Sequence, residues 1–591
     1  MKKRTERHKR NNNYSKLKNA KGVTLIALVV TIVVLLILAG VSIAMLTGDN
    51  GIITKAQEAK EKTEQAALEE QAILEDIMNM MDGSVETTEG VDEAVGVNKP
   101  KLATGMIPVK YAEGKWVKAD SSNADKSWYN YGTAEDTKLW ANVVTVKENG
   151  TKSRNYYTEA AVGTEIPMED ITTMFVWIPR YSYTIAGEKD IDISFLQGNS
   201  NKEIGQTTNT TKIVHPGFTM GDAELRGIWV AKFEASGLNS NGENVGNGTA
   251  TTDKTWDQTT ASTTGAYVTV KPSVPSWRHI TIGESQYQSR KMTGDTTNYG
   301  WSNVNSHLMK NVEWGAVAYL CYSDYGTVPK INACGTYTTD KNGTGYYYDM
   351  MTGAGPQSST SESRYNYNSS TFESNYAYNT TNGKLASTTG NETGIYDMNG
   401  GAWERVAAFL DNVNGNLNYY GKSTTDSSVK YFENGQLKDS EKYWDRYEVS
   451  EEEKSNQIKI SDSETLTQSE LYSSSKVGDS YQAARLRLTT ANYNNMKKHK
   501  GIGLEFTTRF SYYGYYNNNG TNTGEWFEDA TSTPSYATTW NGDGVLIGYA
   551  TCPFVIRGGI CDYGAIAGVL STGGANGYAN GHHSFRPVLA F

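Results

Sequence analysis

Cysteine is scarce in this chain. Its 591 residues hold only Cys321, Cys334, Cys552 and Cys561, too few for a disulfide scaffold at this length. They fall as two short-range pairs, which permits Cys321–Cys334 and Cys552–Cys561 bridges outside the cell; four thiols are equally compatible with the spacing. Charge is also thin, at 20% of residues. Residues 1–22 carry nine Lys/Arg against the single acid Glu6, a charge of +8, and removing this from the total of −10 leaves −18 for the rest. That remainder has no basic stripe to neutralise phosphates, which argues against nucleic acid as a partner. Metal-protease, nucleotide-loop and nucleophile-elbow signatures are absent. Seven histidines (His8, His215, His279, His307, His499, His582, His583) are scattered. Only His582 and His583 adjoin, with no carboxylate at metal-ligand spacing. No nucleophile with an evident base emerges either.

What is plentiful is glycine, at 58, and tyrosine, at 39 against 13 phenylalanines. Tyrosine joins a large apolar ring to a hydroxyl and suits recognition loops. The same composition suits a loop-rich β protein that uses tyrosine in strands and glycine in turns.

One long apolar run stands out. Val23 to Leu46 (VTLIALVVTIVVLLILAGVSIAML) is free of charge over 24 residues, enough for a helix to cross a bilayer core. It exceeds the usual apolar core of a secretory signal peptide, about 7–15 residues. The basic residues before it predict a cytoplasmic N-terminus and an outward-facing remainder. Thr47–Gly51 interrupts with two glycines. From Ile52 to Met81, Ala56, Ala66, Leu68, Ala72, Ile73, Ile77, Met80 and Met81 recur at roughly helical spacing among Glu and Lys, which predicts a solvated stalk helix with one packed stripe. Residues 82–100 lack an apolar period and read as an acidic linker.

Lys21-Gly22 followed by Val23-Thr24-Leu25-Ile26 resembles the type IV prepilin processing site. The resemblance implies cleavage between Gly22 and Val23 by a prepilin peptidase, N-methylation of Val23, and contact with pilus assembly machinery. Two positions depart from that family. Val23 stands where an aromatic is usual, and Ala27 stands where a glutamate usually aids subunit assembly. A minor or membrane-retained role is therefore expected over a shaft-forming one.

Beyond residue 100, short aromatic or aliphatic runs alternate with Gly/Asn/Thr/Ser loops. Lys115–Val117, Val143–Val146, Met174–Ile178, Gly227–Phe233 and Ala266–Val270 read as strands, and Met309–Ser323 as the clearest helix. Few helices among many strands predict an α+β or mostly β domain. Residues 236–265, 357–394 and 411–480 read as long surface loops.

Gly394–Val406 (GIYDMNGGAWERV) resembles the central signature of the formylglycine-generating-enzyme, or sulfatase-modifying-factor, family, whose domain is a variant of the C-type lectin fold. Phe175–Arg180, Trp229–Glu234, Ser276-Trp277, Glu313–Tyr319, Ile556–Gly559 and Ser584–Leu589 follow in that family's order. The resemblance spans roughly residues 100 to 591. It implies a Ca2+ ion held by Asp397, the carbonyls of Gly400 and Ala402, and Glu404, a chemistry that suits hard oxygen ligands. The plainer alternative is a tight turn with Trp403 as a core anchor and Glu404 in a salt bridge. Gly401 and Arg405 replace the family's usual asparagine and second tryptophan. The family's two active cysteines fall here on Tyr563 and Gly568, so its oxidation chemistry is not expected.

Between that family's Arg-Gly-Gly strand and closing strand lies Ile560–Ser584, which contains no Lys, Glu, Gln, Met or Trp. These types cannot arise by randomising the adenines of AAC or AAT codons. The segment thus resembles the variable region of diversity-generating retroelement targets. That likeness implies a ligand-facing surface, with Ile560, Cys561, Asp562, Tyr563, Ala565, Ile566, Ala567, Asn576, Tyr578, His582 and His583 as candidate contacts.

The expected architecture is a leader (1–22), a transmembrane helix (23–46), a stalk helix (47–81), a linker (82–100) and an α+β C-type-lectin-like domain with long insertions (101–591). The expected function is a membrane- or pilus-anchored adhesin or receptor, not an enzyme, that binds an extracellular protein or glycan. The alternative is a minor pilin or pseudopilin subunit; a sulfatase-modifying enzyme is disfavoured by the missing thiols.

Overall fold

The computed structural model describes most of residues 90–411, together with 431–448, 495–505, 552–591 and short stretches between them. Along the chain the principal strands are β1 (Ile107–Ala112), β2 (Lys115–Lys118), β3 (Asn142–Val146), β4 (Ile171–Pro179), β5 (Gly227–Ala231), β6 (Asn305–Leu308), β7 (Trp403–Asp411), β8 (Asp445–Glu448), β9 (Ala537–Thr538), β10 (Gly544–Val545), β11 (Phe554–Arg557), β12 (Thr572–Ala575), β13 (His583–Phe585) and β14 (Pro587–Ala590). The α-helices among the described residues are short: α1 (Arg154–Glu159), α2 (Ile282–Lys291), α3 (Asn311–Tyr322) and α4 (Ser369–Asn375).

Two seven-stranded sheets organise the described residues. The first runs β6-β14-β5-β4-β3-β1-β2, and the second β8-β7-β11-β12-β10-β9 with β13 beside β7. Strand β4, ITTMFVWIP, is buried at every residue. Its apolar, β-branched and aromatic run suits a central strand covered on both faces. It pairs antiparallel with β3 and β5, which sets Trp177 opposite Trp229 with ring centroids 5.3 Å apart. Helix α3 buries ten of its twelve residues, so apolar groups occur nearly all round it. Glu313 closes its first turn by accepting from the Lys310 backbone N–H (2.8 Å) and facing His307 Nε2 (2.9 Å). From the same helix Trp314 donates to the Val569 carbonyl at 2.7 Å, which ties α3 to the C-terminal segment.

The final twenty residues join the sheets. β13 pairs parallel with β7, and β14 pairs antiparallel with β5 and β6. Arg586 lies between them, wholly buried. It donates to the Ala231 carbonyl in the first sheet and makes a two-pronged pair with Glu404 in the second, at 2.9 and 2.5 Å.

One expectation needs correction. The anticipated class was a transmembrane helix and stalk helix leading into an α+β domain. The described chain is instead mostly β with few helices, and among the described residues no helix is long and apolar enough to cross a membrane. Segments 23–46 and 47–81, and the Gly22-Val23 junction, lie outside the described residues. The physical reason for the β content is the wealth of short aromatic and β-branched runs, which pair both locally and with distant strands. The segment read as an acidic linker is also structured from residue 90. Val91–Asp92 pairs with Val97–Asn98, and the buried Asn98 side chain donates to the Gly198 and Arg226 carbonyls at 2.9 Å each. A two-residue strand has too few positions for an apolar period to register.

Candidate functional site

The Gly394–Val406 string forms a buried turn entering β7. Asp397 takes φ 63°, and Gly400 and Gly401 take 82° and 73°. This left-handed course is what the two glycines allow. A Cβ on Gly401 would lie 2.5 Å from Glu234 Oε1, so glycine also admits that carboxylate to the turn. Glu234 Oε1 accepts from the Ala402 N–H at 2.8 Å. Asp397 accepts from Asn332 Nδ2 (2.8 Å) and from the backbone N–H groups of Gly353 (2.9 Å) and Glu234 (3.2 Å).

The expected calcium donors do not fit an ion in this arrangement. Both Glu404 oxygens face the Arg586 guanidinium, and the Asp397 carboxylate is surrounded by N–H donors. Among the described residues no group of three or more His, Cys, Asp or Glu is arranged to hold a metal. Asp397, Gly400, Ala402 and Glu404 instead knit the turn to the sheets. Burial is the main cause that lifts all three carboxyls above their usual range, with Glu404 at about 7 despite Arg586. Asn399 Oδ1 is a side-chain oxygen at this turn that is buried without a hydrogen-bond partner. It adjoins Gly400 and was not singled out from the sequence.

A second arrangement lies at the C-terminal end. A cleft of about 160 Å³ is walled by Trp403, Ile556, Tyr563, Ile566 and His583, with Ser571, Thr572, Gly573, Gly574 and Gly544 completing its lining. Strand pairing explains the assembly: β7 sets Trp403 beside His583 of β13, and β11 sets Ile556 opposite Gly573 of β12. A Cβ on Gly573 would come within 2.9 Å of the Ile556 side chain and 3.3 Å of the Trp403 ring. The bare backbone there makes room for both side chains. Tyr563 stands edge-on to Trp403, with centroids 5.7 Å apart and planes at 84°. Trp403 is only 8% exposed, whereas Tyr563 is 43% exposed.

Of the eleven candidate contacts, Tyr563, Ile566 and His583 line this cleft. Ile560, Cys561 and Ala567 are buried beneath the surface. Asp562 and Ala565 lie in the 3-10 turn Cys561–Ile566 that carries Tyr563. Asn576, Tyr578 and His582 are half-buried in the loop between β12 and β13 and do not line the cleft. Trp403, Ile556 and Gly573 were not nominated as contacts. WERVAAF has no polar/apolar alternation to mark Trp403 as a contact; strand geometry puts Trp403 and Arg405 on the face opposite Glu404.

Cys334 and Cys561 form a disulfide with Cα atoms 5.4 Å apart. The pairing differs from both short-range bridges that spacing permitted, because chain course rather than sequence proximity brings the sulfurs together. The bridge sits in a small apolar cluster with Met350, Ala402, Trp403, Ile556, Ile560 and Ala575, so it braces the cleft from below. Cys321 is buried in α3, its thiol pushed above the usual range by that burial, and Cys552 lies outside the bridge.

The cleft wall carries little charge. His583 is the basic group in its lining, and burial together with Arg405, His582 and His279 holds its imidazole well below the usual range. It is therefore neutral at physiological pH. The site offers aromatic and aliphatic surface, an imidazole and a glycine floor. With the hydroxyls of Ser571 and Thr572, this lining can make both apolar and hydrogen-bonded contacts. Comparison with protein-family models and with curated proteins gives no match for this sequence.

Proposed function

We propose that this chain is a binding protein that captures an extracellular protein or glycan in the C-terminal cleft. The observation that carries the reading is the meeting of half-exposed Tyr563 with the Trp403 ring and His583 around a glycine-floored hollow. A half-exposed tyrosine beside a cleft is a recognised form of binding anchor. The Cys334–Cys561 bridge supports placement outside the cytoplasm, since disulfides persist in oxidising compartments. The absence of Lys, Glu, Gln, Met and Trp from Ile560–Ser584 supports a diversified recognition segment.

The test is to probe arrays of glycans and of extracellular proteins with the purified full chain and with Tyr563→Ala. The expected result is a discrete set of ligands bound by the native chain, each weakened at least ~10-fold in the variant, consistent with the loss of a central aromatic anchor. Unchanged binding by the variant, or no ligand on either array, would overturn the reading.

A further inference from the structure

The loop from Gly577 to His582 leads directly into His583, a wall of the cleft, and its main chain is gripped from two sides. From the segment before and at the start of α2, Ile282 N–H donates to the Gly577 carbonyl (3.0 Å) and His279 N–H to the Asn580 carbonyl (3.0 Å). Arg278 Nη1 donates to the Gly581 carbonyl (2.8 Å). From β7, Trp403 N–H donates to the His582 carbonyl (2.8 Å), and Arg405 Nη2 donates to the Tyr578 carbonyl. Arg405 also reaches the first side of this clamp, with Nε donating to the Ile280 carbonyl at 3.1 Å. It is therefore a side chain that bridges strand, loop and pre-helical segment at once.

Its setting is unusual for a guanidinium. Arg405 is fully buried, no carboxylate pairs with it among the described residues, and Nη1 meets no acceptor there. A buried cation with no counter-charge is costly, and main-chain carbonyls are what make it tolerable. Such a residue belongs where its planar, two-pronged reach does something that a neutral side chain cannot.

We propose that Arg405 is the positioning residue of the ligand-facing loop, a latch that holds residues 577–582 against β7 and the 278–282 segment and so fixes where His583 enters the cleft. This rests on the cleft being the binding site. It goes further by assigning loop geometry to a residue outside the cleft lining. The latch acts through hydrogen-bond reach, so lysine cannot substitute for it; the charge acts separately on the nearby imidazoles, which lysine would preserve.

Hydrogen exchange on the full chain without ligand, compared for native, Arg405→Gln and Arg405→Lys, tests the latch independently of any binding result. Exchange in peptides covering 576–583 rises at least ~10-fold in both variants, while peptides covering β4 and β5 keep their protection. The His583 imidazole, followed by NMR, titrates closer to its ordinary pH in Arg405→Gln and stays depressed in Arg405→Lys. Native-like loop protection in either variant, or loss of protection spread evenly over both sheets, would overturn the proposal. If the latch stands while array binding fails, the binding reading alone is at fault.

Discussion

Arg586 and Glu404 illustrate how one pair of residues can hold two sheets. The guanidinium spends its donors on Glu404, the Ala231 carbonyl and the Tyr396 carbonyl, all in the interior. Replacing a complete buried pair by apolar groups is often harmless, whereas removing one partner strands the other. Arg586→Met therefore costs about 3–5 kcal/mol of stability, read as a lowered midpoint in chemical denaturation. A change under ~1 kcal/mol would mean that the pair is not what joins the sheets. The tight-turn alternative for GIYDMNGGAWERV anticipated a salt bridge at Glu404. Its partner was not legible, because residue 586 lies far along the chain and only strand pairing makes them neighbours.

At the scale of elements, β12 shows glycine used for space. The sequence TGGA has little to recommend it as a strand, yet it pairs along its length with β11. Its missing side chains let Ile556 and Trp403 settle over the cleft floor. Gly573→Val would push branched methyls toward both. The expected cost is about 1–3 kcal/mol from overpacking, and the expected functional effect is at least a tenfold loss of affinity for ligands found on the arrays. Retained affinity would place the contact surface elsewhere. Strand positions in the first sheet were easier to read. The expected runs at 143–146, 174–178 and 227–233 fall in or overlap β3, β4 and β5, and the expected helix at 309–323 contains α3. These segments carry enough consecutive apolar residues to declare themselves. The hairpin at residues 91–98 does not, and its order comes from contacts such as those of Asn98.

For the whole molecule, the Cys334–Cys561 bridge spans 227 residues. A cross-link over so long a loop restricts the unfolded chain strongly, and its loss typically costs about 2–5 kcal/mol. Thermal unfolding under reducing conditions should shift downward, and Cys561→Ser should shift it likewise with no further response to reductant. An unchanged midpoint after complete reduction would show that the apolar cluster around Trp403 is self-sufficient. The bridge also bears on the site, since Cys561 opens the turn that presents Tyr563.

Composition and local pattern determined the β-rich character, the principal strands, one buried helix and the stretch from which three cleft residues come. Backbone geometry and burial write those features into neighbouring residues, where spacing alone can carry them. Tertiary structure alone decided that Cys561 joins Cys334, that Glu404 faces a guanidinium, and that Trp403, Ile556, Tyr563, Gly573 and His583 share one hollow. Each of these depends on which distant strands lie side by side, and that is a property of the chain's path rather than of any local stretch.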